Sequence, residues 1–170
     1  GFLMPVSDQG IFHDRYMVIP RTLIFLTRNE KVLLLKGAPT KRLWANLYNG
    51  VGGHIEQGED VRNAAYRELV EETGLKPDTL RLCGTVSVDT GENVGISIYV
   101  FRGECADGDP KPSAEGALEW VAFDEISELS LVEDLPQILP IVLAIQPGDA
   151  PFSARSFYDA KDKLQVVFAE

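Results

Sequence analysis

The chain predicts an α/β fold, a sandwich in which helices cover a mixed β-sheet. Two observations carry that expectation. Apolar, β-rich runs alternate with helical patterns in the order strands, helix, strands, helix, strands, which suits a layered arrangement. Hydrophobic residues make up 45% of the 170 and charged residues 25%, so a sizeable core is available without disulfides. Residues 1–170 read as one domain, with an N-terminal extension at 1–15 and a C-terminal hairpin at 155–170.

The elements follow in order. The runs at 16–28 and 31–36 are apolar and β-rich, and the polar pair Asn29-Glu30 between them suits a tight turn. Pro20 marks the first run as an edge or a bulge. Residues 37–53 are rich in Gly, Pro and Asn and read as an extended loop leading to a short strand. A helix of about 13 residues follows from near Asp60 to Thr73, with Glu59 and Asp60 at the positive end of its dipole and Gly74 as its stop. Residues 80–89 and 95–103 form a hairpin across Thr90–Asn93. A strand lies at 118–123, a short turn follows, and an apolar helix covers 133–145 despite Pro136 and Pro140.

The formal charge is −10, from 16 Lys and Arg against 26 Asp and Glu. Such a surface repels nucleic-acid polymers and anionic membranes, and an anionic small substrate needs a cation to bring it in. No apolar run approaches the roughly 20 residues that span a bilayer. The start lacks the layout of a secretory signal. Cys83 and Cys105 are the only cysteines, too few for a closed zinc site, and read as reduced thiols of a cytoplasmic protein.

The 60–73 helix holds the sharpest anomaly. At about 100° per residue with Val61 at zero, Ala65 falls near 40°, Leu69 near 80° and Ala64 near 300°. That arc should face the sheet. On the same roughly 100° step, Glu68 falls near 340°, Glu72 near 20° and Glu71 near 280°. Three carboxylates therefore lie in the apolar arc or on its margin. Glu68 and Glu72 repel each other at i,i+4, and the helix dipole opposes both. A divalent cation makes such a cluster tolerable, and oxygen ligands of this type suit Mg²⁺ or Mn²⁺.

Gly53, Glu59, Arg67, Glu68, Leu69, Glu71, Glu72, Gly74 and Leu75 match every fixed position of the Nudix box. Chance agreement is on the order of 10⁻⁹ per starting position. The chain thus resembles the Nudix hydrolases, which implies an α/β/α sandwich and cleavage of a nucleoside diphosphate linked to another moiety. By the same resemblance, Glu68, Glu71 and Glu72 bind metal and Gly53 adds its backbone carbonyl. Arg67 pairs with Glu59 as scaffolding. The general base is Glu68 or a glutamate beyond the box. The 113–123 stretch is similar to the corresponding loop of MutT-like members, which favours Glu115 over Glu119 as extra ligand or base.

The 47–53 stretch is similar to that of the oxidised-purine nucleoside triphosphatases, in which the residue matching Asn49 reads a purine edge. Tyr48 stands here in place of their usual Trp. Asn49 either reads a base or shapes the turn before Gly50. Glu133 and Asp134 lie near the base-reading acids of that subgroup, and either face a base or start a helix. His54, Lys36, Lys41 and Arg42 flank the expected cleft. The implied activity is hydrolysis of a nucleoside triphosphate, such as 8-oxo-dGTP, to monophosphate and pyrophosphate by a monomer or homodimer. ADP-ribose, nucleotide sugars and dinucleoside polyphosphates are the alternative substrates. A non-catalytic nucleotide-sensing module is a further reading, which the intact set of box glutamates disfavours.

Overall fold

The computed structural model describes Pro5 and residues 8–170; the rest of the 1–15 extension lies outside the described residues. Strand β1 (Met17–Arg28) turns through Asn29 and Glu30 into β2 (Lys31–Gly37). The loop that follows ends in two short strands, β3 (Tyr48–Asn49) and β4 (Val51–His54). Helix α1 (Val61–Thr73) leads to β5 (Thr79–Val88), β6 (Val94–Glu104) and β7 (Gly116–Ala122). A 3₁₀ turn at Phe123–Glu128 precedes α2 (Leu135–Ala144), and β8 (Phe152–Tyr158) and β9 (Leu164–Phe168) close the chain.

The sheet is mixed, as the element order predicts. Strand β1 runs parallel to β6 from Met17 to Thr27, while its other flank meets β2 at the turn and β4 at Arg21–Ile24, both antiparallel. Met17–Pro20 therefore have a strand on one side only, and Pro20, just past the end of the β4 pairing, still accepts from Ile55 N at 3.1 Å through its carbonyl. Strand β5 pairs antiparallel with β6 and parallel with β8.

Strand alternation sorts the core into two layers. Ile24, Leu26, Leu33 and Phe101 face α1 through Ala65 and Leu69. Phe25, Val32, Leu34 and Val100 face α2 through Leu135, Ile138, Leu139 and Val142. The result is the α/β/α sandwich the sequence predicts.

Each helix has an identifiable start or stop. The Asp60 carboxylate accepts from the Asn63 backbone N–H at 2.9 Å, and Gly74 closes α1 in the left-handed region at φ 74°. Helix α2 contains Pro140, which removes one internal hydrogen bond. Its C-terminal carbonyls are held from the sheet: Arg102 donates to Leu143 O at 2.7 Å and Arg81 to Ile145 O at 2.8 Å. The terminal hairpin begins at Phe152, earlier than the expected 155, because Phe152 packs edge-on against Phe168 at 5.8 Å and its strand pairs with β5 from Gly84 onward.

Candidate functional site

An open cleft of about 660 Å³ crosses the sheet where β1, β4, α1 and the segment before α2 meet. Of the residues expected at a site, Asn49, Gly53, Glu68, Glu72, Glu115, Glu133 and Asp134 all line it. Residues far apart in sequence thus share one surface. Glu71 does not line it.

The carboxylate end is built by α1 lying against β4. A side chain at Gly53 would sit 2.5 Å from the Glu68 carboxyl carbon, so only glycine leaves room for that carboxylate beside the backbone. The Thr22 hydroxyl, buried beneath, lies 3.4 Å from both the Gly53 nitrogen and its oxygen. Glu68 is only 13% exposed, whereas Glu71 is 59% exposed. Glu72 accepts from the Ser113 hydroxyl at 3.3 Å. Burial pushes the Glu72 carboxyl above the usual range, the charges of Glu115, Glu68 and Glu71 add to that, and the Ser113 bond opposes it.

Arg67 ties this end together. It meets Glu59 at two points, at 2.6 and 2.8 Å, as the resemblance implies. It also donates to Glu68 at 2.9 Å, to Glu71 at 3.2 Å and to His54 O at 3.1 Å. Among the described residues no three His, Cys, Asp or Glu side chains converge as a ready-made metal cage. Arg67 engages two of the expected ligands instead. The donor set still fits a hard divalent cation, which commonly takes one or two carboxylates and completes its shell with water and phosphate.

Glu115 and Glu119 separate clearly. Glu115 reaches the cleft and is paired with Lys41 at 2.7 Å. Glu119 instead accepts from the Tyr48 hydroxyl at 2.7 Å and does not line the cleft. Tyr48 is buried, and its hydroxyl gives Glu119 a partner that the indole of the usual Trp would present differently. Lys36 lies over the Tyr48 ring at 5.6 Å, and neither it nor Arg42 lines the cleft.

At the other end, Asn49 accepts from the Gly50 backbone N–H at 2.8 Å, so it shapes the turn while it faces the cleft. Asp134 occupies the N-cap position of α2, yet its side chain makes no capping bond. The carboxylate is free to face the cleft, and burial pushes its pKa above the usual range. Glu133 is exposed and accepts from the Tyr158 hydroxyl at 3.1 Å.

Arg21 and Tyr158 line the cleft without having been singled out from the sequence. In Arg21 the only signal is a charge inside the apolar run 17–26. Tyr158 looks like an ordinary hairpin residue. Trp44 lines the cleft, whereas Trp120 does not and lies under the Arg28 guanidinium at 4.4 Å.

Comparison with known proteins places the chain in a family. The chain is 35% identical over 106 residues to an oxidized purine nucleoside triphosphate hydrolase of Danio rerio, covering 62% of this chain and 67% of the relative. It is 32% identical over 123 residues to the protein of that name in Mus musculus, covering 72% and 78%. The crystal structure of a MutT protein from Bacillus halodurans superposes with a TM-score of 0.74 at 26% identity, covering 88% of this chain and 97% of that one. The NUDIX domain matches residues 17–141, and the chain belongs to the Nudix family.

Proposed function

We propose that this protein is a divalent-metal-dependent nucleotide pyrophosphohydrolase that uses Mg²⁺ or Mn²⁺. Its substrate is a nucleoside triphosphate, with an oxidised purine such as 8-oxo-dGTP the leading candidate. The carrying observation is one cleft with two chemically different ends, Gly53, Glu68 and Glu72 at one and Asn49 and Asp134 at the other. The relatives named for oxidised-purine triphosphates support the substrate class.

In this reading Glu68, Glu72 and the Gly53 carbonyl hold the cation, with Glu71 and Glu115 completing the set. When bound, the cation neutralises phosphate charge and sharpens an attacking water. Glu68 or Glu115 accepts the proton of that water as its oxygen bonds to phosphorus. The bridging P–O bond breaks, and monophosphate and pyrophosphate leave. Arg67 and Glu59 orient Glu68 without touching substrate. Asn49 offers both donor and acceptor to a purine edge, and Asp134 and Glu133 face the base from the α2 side.

We also read residues 1–170 as one domain acting as a cytoplasmic monomer or homodimer. The −10 charge supports a small nucleotide over a nucleic-acid polymer as substrate. Among the described residues no helix is long and apolar enough to cross a membrane.

The test is a panel of nucleoside triphosphates, oxidised and unoxidised, with Mg²⁺ or with EDTA and with products identified by mass. Metal-dependent pyrophosphate release with an oxidised purine ranked first is expected. Turnover of ADP-ribose in preference to every triphosphate, or no turnover at all, would overturn the reading.

A further inference from the structure

The cleft holds a cation that the proposed reaction leaves unused. Arg21 and Lys41 are the lysine and arginine side chains along its wall. Lys41 is already paired with Glu115. The ion pairs among the described residues all belong to Lys41 or Arg67, so Arg21 makes none. Its Nε is buried and has no hydrogen-bond partner. Arg21 as a whole is only half-buried along the cleft wall, so the Nη donors at its tip can meet a ligand acceptor there, which offsets the lost hydration of the guanidinium.

The register says where that ligand group must lie. Arg21 stands opposite His54 on β4 and beside Ile98 on β6. Strand alternation puts it on the face of Leu23 and Ile98, opposite Thr22 and its contact with Gly53. It therefore sits at the seam between the Gly53–His54 segment of the carboxylate end and the apolar floor of the cleft. A nucleotide laid along the cleft, base toward Asn49 and Asp134 and polyphosphate toward Glu68, brings its sugar-linked phosphate to that seam.

We propose that Arg21 is a substrate-binding residue that holds the sugar-linked phosphate of the nucleotide. The inference rests on the function proposed above. A guanidinium presents a planar fork of donors to two phosphate oxygens, and the bond is charge-assisted at both ends. In a cleft lined by six carboxylates (Glu56, Glu68, Glu72, Glu115, Glu133 and Asp134), a free cation offsets repulsion of an anionic substrate that bound metal alone leaves in part.

The test measures binding and turnover separately. In EDTA, the parent protein and Arg21→Gln are titrated with 8-oxo-dGMP and dGMP and with their nucleosides. The variant is expected to weaken monophosphate binding about tenfold or more, as for loss of a hydrogen bond between charged groups, and to leave nucleoside binding unchanged. With Mg²⁺, KM for the triphosphate should rise by a similar factor while kcat stays near that of the parent. Arg21→Lys should recover part of the loss, which separates lost charge from lost folding.

Equal weakening of nucleoside and monophosphate would overturn the proposal and make Arg21 a base contact. Unchanged monophosphate affinity in a folded Arg21→Gln would overturn it as well, as would a parent that turns over triphosphate yet binds no monophosphate. A parent that hydrolyses no triphosphate removes the proposed function itself, and this inference with it.

Discussion

Arg67 grips Glu59 with a two-point ion pair, Nε to Oε2 at 2.6 Å and Nη2 to Oε1 at 2.8 Å, while Nη1 donates to Glu68 and Glu71 and Nη2 also donates to His54 O. The pair joins the 53–59 loop to the middle of α1. The Arg67 bond, helped by the Glu56 backbone N–H, lowers the Glu59 carboxyl from an ordinary 4.5 to about 2. A carboxylate whose pKa is depressed on folding contributes stability above its unfolded value and loses it as pH falls through the folded one. The urea midpoint of the parent is thus expected to decline between about pH 4.5 and 2, with a shallower decline in Glu59→Gln. Parallel slopes for the two proteins across that window would show that the pair adds nothing to stability.

Glu72 has the opposite linkage. Burial and the neighbouring carboxylates raise its pKa, so without metal its charge works against the fold, and stability falls as pH rises through the folded value. Glu72→Gln is therefore expected to melt at the same temperature as the parent or higher in EDTA at pH 7.5. The same change should abolish the rise in Tm that Mg²⁺ gives the parent and cut turnover by about a hundredfold or more. Melting curves with and without Mg²⁺ check both. A variant that melts lower in EDTA but keeps its Mg²⁺ response would move the cation away from Glu72.

What was legible in the sequence was what neighbours in the chain decide. Helix α1 is readable because each of its signals acts within about one turn: Asp60 on Asn63, Gly74 on Val70, and the 3.6-residue spacing between them. The Arg67–Glu59 pair bridges only eight positions. Tyr48 and Glu119, by contrast, meet across a separation of 71, and nothing local marks Glu119 as occupied. Arg21 is not legible locally for a related reason. Alternation places it on a strand face but does not say whether that face meets water or a cleft, because Ile98 and His54 arrive from other strands. Glu71 shows the limit of the angular argument. Its position on the margin of the arc left it 59% exposed and bound to Arg67.

Asp134 gives a test of the base end. Its carboxylate stands at the head of α2 without capping it, so replacing it costs the helix no hydrogen bond. Asp134→Asn is expected to melt at the temperature of the parent or higher at pH 7.5, because burial already disfavours the charge it removes, while it reorders the ranking of purine triphosphates. Asn49→Ala should do the same to the ranking at some cost to the turn, because Asn49 also accepts from Gly50. Competition assays with oxidised and unoxidised purine triphosphates read the effect. A ranking unchanged in both variants would take base recognition away from this end of the cleft.

The turn between β1 and β2 offers a change confined to stability. Asn29 and Glu30 have φ of 47° and 62°, so both central residues of a two-residue hairpin lie in the left-handed region. Asn tolerates that region, whereas Glu there is strained by about 1 kcal/mol. The Glu30 carbonyl accepts from Phe123 N at 3.0 Å, a main-chain bond that any residue keeps. Glu30→Gly removes the strain and gives back part of the gain through the greater freedom of the unfolded chain. A net rise in Tm of about 2 °C is expected for a chain of this length. Because Glu30 does not line the cleft, kcat and KM should not move. A fall in Tm would mean that the exposed Glu30 side chain stabilises the fold by more than its backbone strain costs.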